Sequence, residues 1–331
     1  MKSYSYLALL GLWFLSSVVA HASEELWILN AKGSEAHIYE VHTWQLLDVL
    51  PLGPHPHGIA TTSDHKTVFI STERPDHHCG ELLWLDSRTR KVIGRMDVGW
   101  QPHEIECTPD GRYVYVPCGN GWQVIDVPKQ EVIKEIPVTG RPHNTTLSAD
   151  QRLMFLSPMA PARDVTVVSI EDDHQIEKTI PFSAAPRPAA ISSDGKYLFQ
   201  NVDGLLGYEV ANIETGVVQR IQYPPSPEKA DLKSRCHGMA IRPDQREAWT
   251  ANVDHQTVHV HELTSGNHQQ THLIPVPLNP YWITMSPEGQ YAYVSLFPAL
   301  DKQRAAGHLL VKLGVGSLAL FAITGFWFIQ G

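Results

Sequence analysis

One short phrase recurs six times along this chain and limits what the chain can fold into. It reads Pro56-His57-Gly58-Ile59 before Asp64, Pro102-His103-Glu104-Ile105 before Asp110, and Pro142-His143-Asn144-Thr145 before Asp150. It returns as Pro186-Arg187-Pro188-Ala189 before Asp194, Cys236-His237-Gly238-Met239 before Asp244, and Pro280-Tyr281-Trp282-Ile283 before Glu288. The acidic residue always falls eight positions after the first residue, and successive copies lie 40 to 50 residues apart. Self-similarity at such a period means stacked supersecondary units, each burying its apolar faces against its neighbours.

Each phrase leads into a turn and then an aromatic or β-branched run. Asp110-Gly111 precedes Tyr113-Val114-Tyr115-Val116, Asp194-Gly195 precedes Tyr197-Leu198-Phe199, and Glu288-Gly289 precedes Tyr291-Ala292-Tyr293-Val294. Asp-Gly between two such runs signals a hairpin, because glycine accepts the positive φ of a tight turn. Third runs follow at 82–86, 123–127, 165–170 and 258–263, and fourth runs at 92–98, 132–138 and 217–223. Four short strands per unit without helical periodicity predict an all-β chain, a β-propeller of four-stranded blades. Residues 26–50 supply three further strands with no phrase before them, matching the second, third and fourth strands of a blade. The phrase at Pro280 supplies a first strand near the other end, so strands from both ends are expected to close the ring. Six repeat units are visible. Six or seven blades both fit the strand count, and six visible units with the seventh missing or eroded is the expected arrangement.

The repeat resembles the YVTN, YncE-like group of β-propellers, related to the cytochrome d1-type propeller. The residues that carry the likeness are Val92-Ile93, Val98-Gly99, Pro102, Pro109-Asp110-Gly111 and Tyr115-Val116, then Val132-Ile133, Ile136-Pro137-Val138 and Pro142. The resemblance spans about residues 26–296. It implies seven-fold closure as the common state of the group, and related propellers that include lactonases and lyases. One architecture carries many activities, so the resemblance speaks to fold more than to function.

Residues 1–22 read as a secretory signal peptide. Lys2 starts it, 7–19 is apolar, and Ala20-His21-Ala22 fits a cleavage site. The remainder is then periplasmic or otherwise extracytoplasmic. The propeller is expected over 23–300. Residues 301–331 read as a linker and a transmembrane anchor, because 309–329 is apolar except for Lys312, a length at the lower limit for an apolar helix spanning a bilayer. The net charge of −9, with no basic run, excludes a nucleic-acid face.

The first strand of a propeller blade is innermost, so the second residues of the phrases ring the central channel: His57, His103, His143, Arg187, His237 and Tyr281. His55 and the loops bearing His77-His78-Cys79 and Cys118 open on the same face. Four imidazoles from different blades could hold copper or zinc, with His77, His78 and Cys79 as weaker additional ligands. The same ring could instead take an anionic or small ligand through Arg187 and Tyr281, or the histidines could only bond neighbouring loops. Cys79 and Cys118, in equivalent loops of adjacent units, are a candidate disulfide; Cys107, within an inner strand, reads as a buried thiol. No Cys-x-x-Cys-His occurs, so haem attachment is not indicated. The acidic residues of the hairpin turns read as structural, and the 224–235 loop as a surface excursion. These features support a binding or scaffold module for a small-molecule or protein partner at the channel mouth. A metal-dependent oxidoreductase and a lactonase- or lyase-like enzyme are the alternatives.

Overall fold

The structure, a computed structural model, describes residues 24–31, 33–224, 234–276, 279–296, 309–314, 320–324 and 328–329. The signal peptide read at 1–22 lies outside the described residues, as does the 225–233 part of the long loop. The described strands form seven sheets of four antiparallel strands each. The chain is a seven-bladed β-propeller.

The phrases run into the innermost strands. These are Ile59–Thr61, Glu106–Cys107, Asn144–Leu147, Pro186–Ile191, Cys236–Ile241 and Pro280–Met285, of blades 2 to 7 in order. The aspartate of each of the first five phrases then caps the hairpin to the second strand. Thr62 Oγ1 donates to Asp64 Oδ1 at 2.7 Å, and the Lys66 amide donates to the same oxygen at 3.1 Å. Thr108 with Asp110, Ser148 with Asp150, and Ser192 with Asp194 repeat this bond at 2.6–2.7 Å. The structural reading of these carboxylates therefore holds. The turn residue takes a positive φ in each case, as at Gly111 (68°) and Gly195 (69°).

The C-terminal apolar helix expected over 309–329 is not present. Leu309–Gly314 and Leu320–Thr324 are the third and fourth strands of a complete seventh blade, and Phe328–Ile329 is the innermost strand of blade 1. There it pairs antiparallel with Glu25–Leu29, which Glu35–Glu40 and Leu46–Pro51 follow. Three strands from one end and one from the other thus close the ring, and blade 7 needs no contribution from the N-terminal segment. A short apolar run without alternation cannot be assigned to strand or helix by periodicity alone. Among the described residues no helix is long and apolar enough to cross a membrane.

Seven apolar clusters lie between adjacent blades. Ala60, Phe69 and Trp84 of blade 2 pack with Ile105, Val114 and Ile125 of blade 3, and the other seams repeat the pattern. The closing seam is more aromatic: Leu26, Ile28 and Val41 of blade 1 meet Tyr293, Tyr291 and Trp282 of blade 7. Lys312, the one charge in the apolar run, is buried in this seam. Its ammonium lies 3.6 Å from the Tyr291 ring centroid and donates to the Val41 carbonyl at 3.3 Å.

Candidate functional site: the central channel

The inner strands approach each other closely because the third residue of some phrases has no side chain. A Cβ on Gly58 would lie 2.4 Å from the His103 carbonyl oxygen, and one on Gly238 would lie 2.6 Å from the Ile283 nitrogen. Side chains of the second strands then lace the blades together. Gly58 N donates to Ser71 Oγ at 2.9 Å, and Ser71 Oγ donates to the His103 carbonyl of the next blade at 2.8 Å. Asn201 Nδ2 does the same for the His237 carbonyl at 2.5 Å. The phrase residues are thereby held at fixed places around the axis.

The structure brings most of the expected ring together, with neighbouring imidazoles in tilted contact. The His57 and His103 ring centroids are 3.6 Å apart, and those of His103 and His143 are 3.7 Å apart. His237 lies 6.5 Å from His143 and stacks on Tyr281 at 3.6 Å. Arg187 is buried, and its Nε donates to Asp203 at 2.6 Å, so its charge already has a carboxylate partner. Burial holds all four imidazoles below their usual range: His57 to about 4, His143 to about 3, and His103 and His237 well down. The charge of Arg141 lowers His57, His103 and His143 further, and that of Arg187 lowers His143 and His237. At neutral pH the ring is therefore uncharged.

Among the described residues no group of three or more His, Cys, Asp or Glu side chains is placed to hold a metal ion. His77, ending the 3-10 turn Pro75–His77, and His78, which follows it, are exposed, and His55 is exposed as well. All four cysteines are free thiols. Cys79 and Cys118 do not pair; Cys118 Sγ donates to Gln123 Oε1 at 3.4 Å. Cys107 is buried, as the sequence indicates.

Along the same inner strands lies a cavity of about 280 Å³. Blades 3 and 4 line it with Glu104, Glu106, Asn144, Thr145 and Thr146, and blade 7 adds Thr284. Met239 and Ile241 of blade 6 and Trp282, Ile283 and Met285 of blade 7 form an apolar wall. None of the expected ring residues is among its lining. The two glutamates are the functional candidates that the sequence reading missed. A signal was present: Glu104 follows the phrase histidine where other copies carry Gly, Asn, Pro or Trp, and Glu106 lies two residues on, on the same face of the strand.

Glu104 is linked to the histidine ring through Asn144. His143 Nδ1 donates to Asn144 Oδ1, and Asn144 Nδ2 donates to Glu104 Oε2 at 2.8 Å. This fixes Nδ1 as the protonated nitrogen of His143. Trp122 Nε1 donates to Thr145 Oγ1, which donates on to the Glu104 carbonyl, both at 2.8 Å. Burial raises Glu104 well above the usual carboxylate range, with the nearby Glu106 adding to the effect, and burial raises Glu106 to about 7. Two carboxyls poised in a partly apolar cavity can donate hydrogen bonds, accept them, or ionise against a positive charge.

This geometry defines a seven-bladed propeller with a polar–apolar pocket on its axis. No protein-family model matches the chain. It is 20% identical over 266 residues to antigen Lp49 of Leptospira interrogans, covering 74% of this chain and 56% of that protein, so the chain spans little more than half the length of this relative. Among solved structures it is similar to a hydrazine synthase of Kuenenia stuttgartiensis (TM-score 0.73, 16% identity), covering 93% of this chain and all of that one. It is similar also to the periplasmic gluconolactonase of Pseudomonas aeruginosa (TM-score 0.71, 14% identity, 92% and 96% covered). A third likeness is to a dihydro-heme d1 dehydrogenase (TM-score 0.63, 13% identity, 95% and 76% covered). At these identities the likeness is one of fold.

Proposed function

We propose that the chain is an exported, extracytoplasmic ligand-binding propeller of the YVTN, YncE-like kind, and that its ligand sits in the central channel. One observation carries this reading: the cavity of about 280 Å³ joins buried carboxyls on one wall to an apolar wall on the other. That volume is at the small end of ligand sites, where a few polar groups orient a molecule and apolar surface holds it. Export rests on residues 1–22 and the YncE-like grouping on the repeat itself.

A ligand-observed NMR screen of small molecules tests this reading, run on the native chain and on Ala240→Phe, which places a ring in the cavity. Ala189→Leu is a gentler second filling variant should Ala240→Phe fold poorly. Binders that bind the native chain and are lost from the filled variants are the expected result. Binders unaffected by filling would place recognition elsewhere and overturn the reading.

A second reading is a lactonase- or lyase-like enzyme. It is favoured by the adjacent carboxyls, since Glu106 at about 7 suits proton transfer near neutrality. A pH-stat assay on gluconolactone, with Glu106→Gln beside the native chain, tests it. Turnover equal in both would remove Glu106 from the chemistry.

A further inference from the structure

The two walls of the cavity specify a class of ligand. We propose that the channel takes a small organic cation, an amine with an apolar body. Its ammonium group would lie against Glu104 and Glu106 and its body on Met239, Met285 and Trp282. This rests on the reading of the channel as the binding site.

Among the described residues, Glu104 and Glu106 are the only ionisable side chains lining the cavity, and no Lys, Arg or His lines it. An anion would meet carboxyls alone. A polyol would leave Met239, Ile241, Ile283 and Met285 against hydroxyls, at the cost of burying polar groups without partners. A purely apolar molecule would strip water from the carboxyl oxygens that Asn144 and the Cys107 amide do not already satisfy. An ammonium group supplies donors for the carboxyl oxygens. Trp282 adds an aromatic surface, and thioether sulfurs are polarizable neighbours for a cation. The chain's net charge of −9 favours a cation's approach.

Occupancy would also move a proton. The groups around the glutamates are each other, Asn144 with His143 behind it, and Tyr281 of blade 7 beside Glu104. The neighbouring His103 and His143 are neutral, and the guanidinium of Arg187 is paired with Asp203. Among the described residues no cation lines the cavity to balance a glutamate charge. The incoming ammonium would play that part. A neutral carboxyl gives its proton to solvent, and the carboxylate left behind pairs with the bound ammonium.

Isothermal titration of the full chain at pH 6 with benzylammonium, benzyl alcohol and benzoate tests the proposal, in two buffers of different ionisation enthalpy. The expected result is benzylammonium binding about tenfold or more tighter than benzyl alcohol, with no benzoate binding. Its heat should differ between the buffers, reporting proton release. In Glu104→Gln/Glu106→Gln the amine should lose its advantage while benzyl alcohol still binds, which also shows that the variant is folded. Equal binding of amine and alcohol, or an amine affinity untouched by the double variant, would overturn the cation assignment and leave the channel as a binding site. Binding of none of the three would overturn the assignment. If the cavity-filling screen also finds nothing, the channel reading fails with it.

Discussion

Asn144 Nδ2 donates to Glu104 Oε2 at 2.8 Å across the seam between blades 3 and 4. The same amide accepts from His143. One side chain thus couples the imidazole ring to the carboxyl pair of the channel. Asn144→Ala removes both bonds and leaves two buried polar groups unpaired, so it is expected to cost about 2 kcal/mol or more. Urea denaturation measures this. Asn267→Ala, at an exposed turn, is the control and should stay within about 0.5 kcal/mol of the native chain.

Gly58 is a point of contact between inner strands. Its added Cβ would meet backbone atoms of His103 and Ile105, which cannot turn aside as a side chain would. Gly58→Ala is expected to destabilise by about 2–3 kcal/mol through overpacking. Gly195→Ala, with a positive φ and nothing within 4 Å, carries only a backbone penalty, expected at about 1 kcal/mol. Thermal melts of the two variants should separate clearly.

Stability should fall with acid. His57 and His259 are held at about 4 and His143 at about 3 by burial, against 6.5 when unfolded, and His103 and His237 move the same way. Below about pH 6.5 the unfolded chain takes up protons that the folded chain refuses, so stability drops as pH falls toward 4. Glu106 acts oppositely. Its folded value of about 7 against 4.5 gives stability that is complete below 4.5 and lost as pH rises through 7. Glu104 acts in the same direction. Five imidazoles outweigh two carboxyls, so the melting temperature should decline between pH 6.5 and 4. Glu104→Gln/Glu106→Gln should make that decline steeper. A flat profile would mean that the rings are not buried as described.

Lys312 tests the closure of the ring. Its ammonium packs on Tyr291 and bonds the Val41 carbonyl between the first and last blades. Lys312→Ala is expected to lower propeller stability by about 2 kcal/mol, through the lost cation–π contact and the space left behind. A helix lying apart from the propeller would make the same substitution neutral in a denaturant melt.

The blades were legible in the sequence because each phrase pairs a fixed hairpin acid with an inner strand. Asp64, Asp110, Asp150 and Asp194 bond as the spacing implies. The outer half of blade 7 was not legible, although the Pro280 phrase marks its innermost strand, because Leu309–Gly314 and Leu320–Thr324 lack the hairpin and alternation signals of the other outer strands. Their apolar run carries no alternation that would mark a strand with one wet face. The positions of His57, His103 and His143 near the axis were readable from the repeat. Their tilted ring-to-ring contact was not, because ring orientation depends on how closely the Gly58 backbone lets the next blade approach. Glu104 and Glu106 were hidden by the histidines beside them, although an acid on an inner strand is the costlier residue to bury and so the more informative one.

The most direct test of the central claim is a crystal structure of the full chain soaked with benzylammonium. The account predicts density in the axial cavity, with nitrogen within hydrogen-bond reach of Glu104 or Glu106 and the ring against Met239 and Trp282. Density at the outer face over His57 and Arg141 instead, with the axial cavity unchanged, would contradict it.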